Sequence, residues 1–246
     1  TKDKIKDYFN PSLSLLKDPF SLPGIQKAAE RIWQAIIKKE KILIFGDYDT
    51  DGVTATAMIY EVLKDHGGIV SFFLPHRFDD GYGMTIDSLK KALEENHANL
   101  IITVDCGISA VEAVAYASEK GIDVIISDHH EPTPELPKAL SIINPKLSPE
   151  LKDLHILAGV GVAFKLAHGF IKYGRQQSLC GNEHDLRRDL DLAALGTVAD
   201  LVPLIGENRI IVNSGLKRLS EQLRPGINAL CQISNIYEEV KASDIT

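Results

Sequence analysis

Four short apolar runs constrain the fold of this chain more than any other feature: KILIF (Lys41 to Phe45), VSFFL (Val70 to Leu74), LIITV (Leu100 to Val104) and DVIIS (Asp123 to Ser127). They are short, β-branched and apolar without alternation, the pattern of strands covered on both faces in a parallel sheet. Between them lie helical patterns over Thr54 to Asp65, Ile86 to Asn96 and Ala110 to Lys120, the last stopped by Gly121. This β-α-β-α rhythm calls for right-handed crossovers and helices on both faces of one sheet. The expected class is α/β, a parallel-sheet core, with a further strand at ALSIIN (Ala139 to Asn144).

What ends the runs matters as much as the runs themselves. GDYDTDG (Gly46 to Gly52) follows the first, PHR (Pro75 to Arg77) the second, VDCG (Val104 to Gly107) the third and SDHH (Ser127 to His130) the fourth. Parallel strands deliver such clusters to one edge of the sheet, where open α/β proteins place their ligand sites. In GDYDTDG the acids Asp47, Asp49 and Asp51 recur at spacing two, which in an extended segment turns all three side chains the same way. Oxygen ligands of this kind suit magnesium or manganese, and added imidazole favours manganese.

The other clusters supply partners for that chemistry. Asp105 is the natural carboxylate to bridge two metals, while Cys106 beside it reads as a small buried side chain. His129 fits a metal ligand, and Asp128 or His130 an orienting group or phosphate contact. Arg77 has the chemistry of a bidentate phosphate clamp, its alternative being an ion pair with Asp79 or Asp80. GTVAD (Gly196 to Asp200) ends a helical pattern whose small residues imply close packing, so Asp200 can approach the same edge. DTDGV also admits a phosphatase reading, with Asp49 as a covalent nucleophile and Asp51 as general acid. That reading needs a lysine at a later strand end, and the later strand ends carry VDCG and SDHH instead. His66, His97, His155, His168 and His184 show no comparable placement.

The chain divides into an N-terminal arm and helix (1–40, the helix near Pro23 to Lys39), a metal-binding α/β core (41–145) and a helical extension of the same domain (146–246). The boundary is marked by prolines, five of the eleven falling between Pro132 and Pro149. Beyond it, helical patterns cover Leu157 to Lys172, Asp189 to Asp200, Asn208 to Gln222 and Gly226 to Ile233, with a polar excursion from Gly174 to Arg188. No apolar stretch reaches the ~20 residues of a membrane span and the N-terminus lacks a signal-peptide core, so a cytoplasmic location is expected. Cys106, Cys180 and Cys231 form no C-x-x-C pair and are expected to be reduced thiols. The net charge of −7 argues against tight non-specific DNA binding, yet two divalent cations would bring it to −3 where a phosphate must sit.

With these residues assembled, the chain resembles the DHH phosphoesterase superfamily through DYDTDG, VDCG, DHH and GTVAD in that order. Within it, the chain is similar to the single-strand-specific exonucleases of the RecJ family, through PHRFDDGYGM, the glycine-rich AGVGVAFKLA (Ala158 to Ala167) and GTVADLVPLIGENRIIVNSGL. The resemblance runs from about Asp18 to the C-terminus. It implies two manganese or magnesium ions and 5′-to-3′ release of mononucleotides from single-stranded DNA, in DNA repair and recombination. Asp49, Asp51, Asp105, His129 and Asp200 match the family's metal ligands, with Asp47 in or beside that set. His130 matches the histidine near the scissile phosphate, and Arg77 the phosphate-holding arginine. Phe45 stands where the pyrophosphatases of the superfamily place a histidine ligand, which weakens a pyrophosphatase reading.

Single-stranded DNA is the implied partner, with a helicase or single-strand-binding protein as candidate recruiters, no membrane, and a monomer. A phosphodiesterase for short oligonucleotides or cyclic dinucleotides is one alternative, and a non-catalytic replication scaffold another. The family's DHH-associated and oligonucleotide-binding domains are not recognised here, so weak cleavage and weak DNA binding are expected of this chain alone.

Overall fold

The computed structural model describes residues 9–77 and 83–245. Five parallel strands, β1 (Lys41–Gly46), β2 (Ile69–Phe73), β3 (Leu100–Val104), β4 (Asp123–Ser127) and β5 (Ser141–Ile143), form one sheet in the order β2-β1-β3-β4-β5. The register is continuous: Ile44 sits beside Phe72 on one side and Ile102 on the other, and Ile102 sits beside Ile125. Because the chain runs outward from β1 to β2 and then returns to β3, the two halves of the sheet wind in opposite directions. The crevice this leaves at the carboxyl ends of β1 and β3 is the topological switch point.

The unalternating strands are explained by two cores. Ile42, Ile44, Ile102 and Ile125 face one, and Leu43, Phe45, Ile101 and Ile126 the other. On the first face lie α1 (Ile25–Lys38), α2 (Thr50–Asp65), α5 (Gly159–Gln176) and α6 (Leu190–Ala199), and on the second α3 (Ile86–Glu95) and α4 (Val111–Glu119). Each large aliphatic side chain buried in this way contributes roughly 1.5–3 kcal/mol. Phe45, buried against Phe73 in the second core, is packing. Cys106 is buried in that core too, and burial raises its thiol pKa well above the usual value.

The helices after residue 157 pack into the first core itself, and α7 (Gly206–Ser220) and α8 (Pro225–Ile233) follow. Arg224, which precedes α8, pairs with Glu61 of α2 at 2.5 Å, Asp189 at 2.7 Å and Asp191 at 2.8 Å. A second buried pair, Lys165 and Glu207 at 2.6 Å, joins α5 to α7. These contacts tie α2 to α6 and α5 to α7. Among the described residues no helix is long and apolar enough to cross a membrane.

Candidate metal centre

Asp47, Asp49 and Asp51, expected as one extended row, instead divide between strand end, helix cap and helix. The Asp49 carboxylate accepts the Gly52 N–H at 2.9 Å, and this cap starts α2 at Thr50, four residues before the expected Thr54. Asp51 therefore lies inside the first turn, buried, and points across to α5. There it accepts the N–H groups of Gly159 at 2.6 Å and Val160 at 2.8 Å, the exposed donors of a helix N-terminus.

At the end of β3 the backbone of Asp105 turns left-handed, φ 60°, while its N–H extends the ladder to the Ser127 carbonyl at 2.9 Å. Aspartate tolerates this conformation better than most residues, for which it costs about 1–2 kcal/mol. The turn aims the carboxylate into the crevice. At the end of β4, both Asp128 oxygens are occupied by the protein: Oδ2 accepts the Ile108 N–H, and Oδ1 accepts the N–H groups of His129 and His130 and the His130 ring at 2.8 Å.

His129 sits at the centre of the acids. Its Nδ1 is 3.1 Å from the Leu157 carbonyl, which can only accept, so Nδ1 carries the proton and Nε2 presents a lone pair. Nε2 is 3.2 Å from Asp105 Oδ1 and 4.0 Å from Asp51 Oδ2, while Asp200 Oδ2 lies 3.8 Å from Nδ1. Two donor groups share this histidine, Asp105–His129–His130 and Asp51–His129–Asp200. Asp105 Oδ1 and Asp200 Oδ2 are buried and accept no hydrogen bond among the described residues.

Backbone packing closes the pocket. A Cβ on Gly159 would fall 2.2 Å from Asp105 Oδ1, and one on Gly196 would fall 2.9 Å from Asp51 Oδ1. These glycines and the Leu157 carbonyl shape the crevice through long-range contacts, and the run of small residues in AGVGVAFKLA and GTVAD is the signal they leave in the sequence.

The electrostatics follow from the crowding. Burial, then the charge of Asp49, pushes Asp105 up to about 9. Burial raises Asp51 well above the usual carboxylate range, with Asp105 adding to it, and burial also raises Asp47 and Asp200. His130 moves the opposite way from a buried base: its hydrogen bond to Asp128 raises it to about 9. Burial alone would raise Asp128, but the hydrogen bonds from His130 and from backbone amides outweigh it and hold Asp128 low. Acids packed this closely are a site for positive charge. Arg77 is exposed, its guanidinium carbon 5.5 Å from the centroid of the Tyr48 ring, between Asp47 and Asp49 in sequence. Asp79 and Asp80, its alternative partners, lie outside the described residues.

A parallel α/β sheet with a crevice of buried carboxylates and histidines at its switch point defines a class of proteins built around cations at a strand-end site. Within that class the chain belongs to the DHH family: residues 41–197 match the DHH family, N-terminal domain. It is 48% identical over 217 residues to the single-stranded-DNA-specific exonuclease RecJ of Bacillus subtilis (strain 168), covering 88% of this chain and 26% of that protein. The fold superposes on a crystal structure of exonuclease RecJ bound to manganese with a TM-score of 0.81 at 35% identity, covering 95% of this chain and 56% of that one. RecJ from Thermus thermophilus in complex with Mn2+ gives a TM-score of 0.79 at 32% identity, covering 98% and 33% respectively. The chain thus spans about a quarter of the length of the Bacillus relative.

Proposed function

We propose that this chain is a metal-dependent phosphodiesterase, a 5′-to-3′ exonuclease that releases mononucleotides from single-stranded DNA in DNA repair and recombination. The observation that carries the reading is the pair of donor groups sharing His129, in which buried oxygens of Asp105 and Asp200 accept no hydrogen bond among the described residues. Crowded buried carboxylates ionise readily only beside a compensating cation, and carboxylates with imidazole suit Mn2+ or Mg2+. Asp49, Asp51, Asp105, His129 and Asp200 would hold two such cations, with Asp47 beside them. When bound, the cations supply Lewis acidity at the phosphoryl oxygens and lower the pKa of water.

The remaining work falls to side chains of this chain. The Leu157 carbonyl keeps the His129 lone pair at Nε2, available as a ligand. His130, its ring bonded to the Asp128 carboxylate at 2.8 Å, would donate to a phosphate oxygen or to the leaving oxygen. Asp128 acts through His130 as a positioning residue, its Oδ1 held against the His130 ring and its Oδ2 against the Ile108 amide. Arg77, over Tyr48, clamps a phosphate. The likeness to proteins named as single-stranded-DNA-specific exonucleases, and to RecJ structures holding manganese, supports the same substrate and ions. A cytoplasmic location, a monomeric state and recruitment by a helicase or single-strand-binding protein complete the proposal.

The test is cleavage of 5′- and 3′-labelled single strands of DNA and RNA, with Mn2+ or Mg2+. Labelled mononucleotide released first from the 5′ end of DNA is expected. Cleavage confined to dinucleotides would favour the short-oligonucleotide alternative, and undiminished cleavage by Asp105→Ala would remove the site assignment.

A further inference from the structure

We propose that His66, Cys180 and Glu183 form a zinc site, separate from the acid crevice, that ties the C-terminal end of α2 to the loop after α5. His66 caps α2 at the end opposite Asp49, about 24 Å along a helix of 16 residues. Its Nδ1 is 2.7 Å from the Val62 carbonyl, and since a carbonyl only accepts, Nδ1 carries the proton and Nε2 the lone pair. That is the arrangement in which a metal-binding histidine is normally held. Nε2 is buried and has no hydrogen-bond partner among the described residues. The ring cannot easily turn to find one, because it stands edge-on to Trp33 at 5.6 Å and to Phe170 at 5.1 Å.

Facing that lone pair are a thiol and a carboxylate. His66 Nε2, Cys180 Sγ and a Glu183 oxygen all lie within 4.8 Å of one another, so modest side-chain rotation closes them on one ion. Glu183 is oriented by the Gly181 N–H, which it accepts at 2.7 Å. Room for the sulfur depends on Gly174, where a Cβ would stand 2.7 Å from Cys180 Sγ. His184, next in sequence, is not available: its ring nitrogens are bonded to Asp65 and Asp189.

The donor set selects the ion. One nitrogen, one sulfur and one oxygen are the ligands of Zn2+, whereas Mg2+ and Mn2+ prefer oxygen. Binding replaces the thiol proton, which leaves to solvent, so thiolate and carboxylate together balance the charge of Zn2+ beside a neutral imidazole. Glu183 is exposed and His66 and Cys180 half-buried, leaving an open side where a water completes four-coordination. The site would anchor the polar stretch from Gly174 to Arg188, which the crevice leaves without a role.

Co2+ provides the probe, because only thiolate ligation gives a sulfur-to-cobalt charge-transfer band. The reduced chain, with excess Mg2+ present to occupy the acid crevice, is titrated with Co2+. A band saturating at one equivalent and displaced by Zn2+ is expected. Cys180→Ser should abolish it. Glu183→Gln, at an exposed position that should leave the fold intact, should weaken Co2+ binding by at least the roughly tenfold that loss of a mere supporting hydrogen bond costs a metal site. Absence of the band in the unmodified chain would mean that Nε2 and the thiol meet without a metal, and would overturn the proposal. So would an undiminished band in Cys180→Ser, which would assign it to another cysteine, or unchanged affinity in Glu183→Gln.

Discussion

A single methyl group at position 159 should disable the acid crevice without altering any charged side chain. Gly159 is the first residue of α5, outside the helix interior where Gly→Ala stabilises by about 0.5–1 kcal/mol. Here the added Cβ would sit 2.2 Å from Asp105 Oδ1 and 2.6 Å from its Cβ and Cγ, more than 1 Å inside the 3.4 Å at which ordinary contact begins for the nearest atom. Neither partner can retreat freely. Asp105 is tied back by its N–H bond to Ser127, and α5 by the two N–H groups it gives to Asp51. The cheapest relief is rotation of the Asp105 carboxylate out of the crevice.

Overpacking of this kind costs about 1–3 kcal/mol, equivalent to about 5–150-fold in an equilibrium constant. The expected result is a Gly159→Ala variant whose Mn2+ dissociation constant, measured by titration calorimetry, rises by that factor. Its melting temperature in EDTA should change little, because rotation of the Asp105 carboxylate relieves the strain when no metal holds it. Gly226→Ala is the control: nothing lies within 4 Å of a Cβ there, so metal binding should be unaffected. A folded Gly159→Ala variant with unaltered Mn2+ affinity would refute the claim that α5 sets the position of Asp105 as a ligand.

Two further outcomes follow from the electrostatics. Asp128→Asn replaces the carboxylate that accepts from the His130 ring and holds it at about 9 by a neutral amide, so in EDTA the ring should titrate lower, toward the ordinary value of 6.5. NMR of the His130 ring reads this directly, and an unmoved titration would show that Asp128 does not control that proton. Asp47, Asp51, Asp105 and Asp200 are all raised, Asp105 to about 9, relative to the ordinary value of 3.8. A carboxyl with a higher pKa folded than unfolded favours folding while protonated; that contribution is complete below the unfolded value and is lost as pH rises through the folded one. In EDTA the melting temperature should therefore fall as pH is raised from about 4 to about 9, the Asp105 window. Saturating Mn2+ should abolish the slope, adding about 4 kcal/mol at a thousandfold excess over the dissociation constant. A flat profile in EDTA would contradict the burial argument.

The strands were legible because burial on both faces leaves a composition signature within a few residues: LIITV and DVIIS match β3 and β4 to the residue. For the same reason Asp105, Asp128 and His129 could be assigned to a shared edge, since parallel strands have one carboxyl end in common. The start of α2 was less legible. The spacing of acids in GDYDTDG fits an extended segment as well as a capped helix, and the cap wins because Asp49 satisfies the Gly52 amide.

The identity of the acids and histidines, and their delivery to the ends of buried strands, were determined by sequence alone, because strand pattern is a short-range property. Tertiary structure alone decided which oxygen each acid presents and to what. Asp51 meets Gly159 across 108 residues, and His129 is held by the Leu157 carbonyl. His66 is brought beside Cys180 by the packing of α2, Trp33 and α5. Such contacts depend on how helices seat on the sheet, and that seating is set by the summed shape of both cores rather than by any local run of residues.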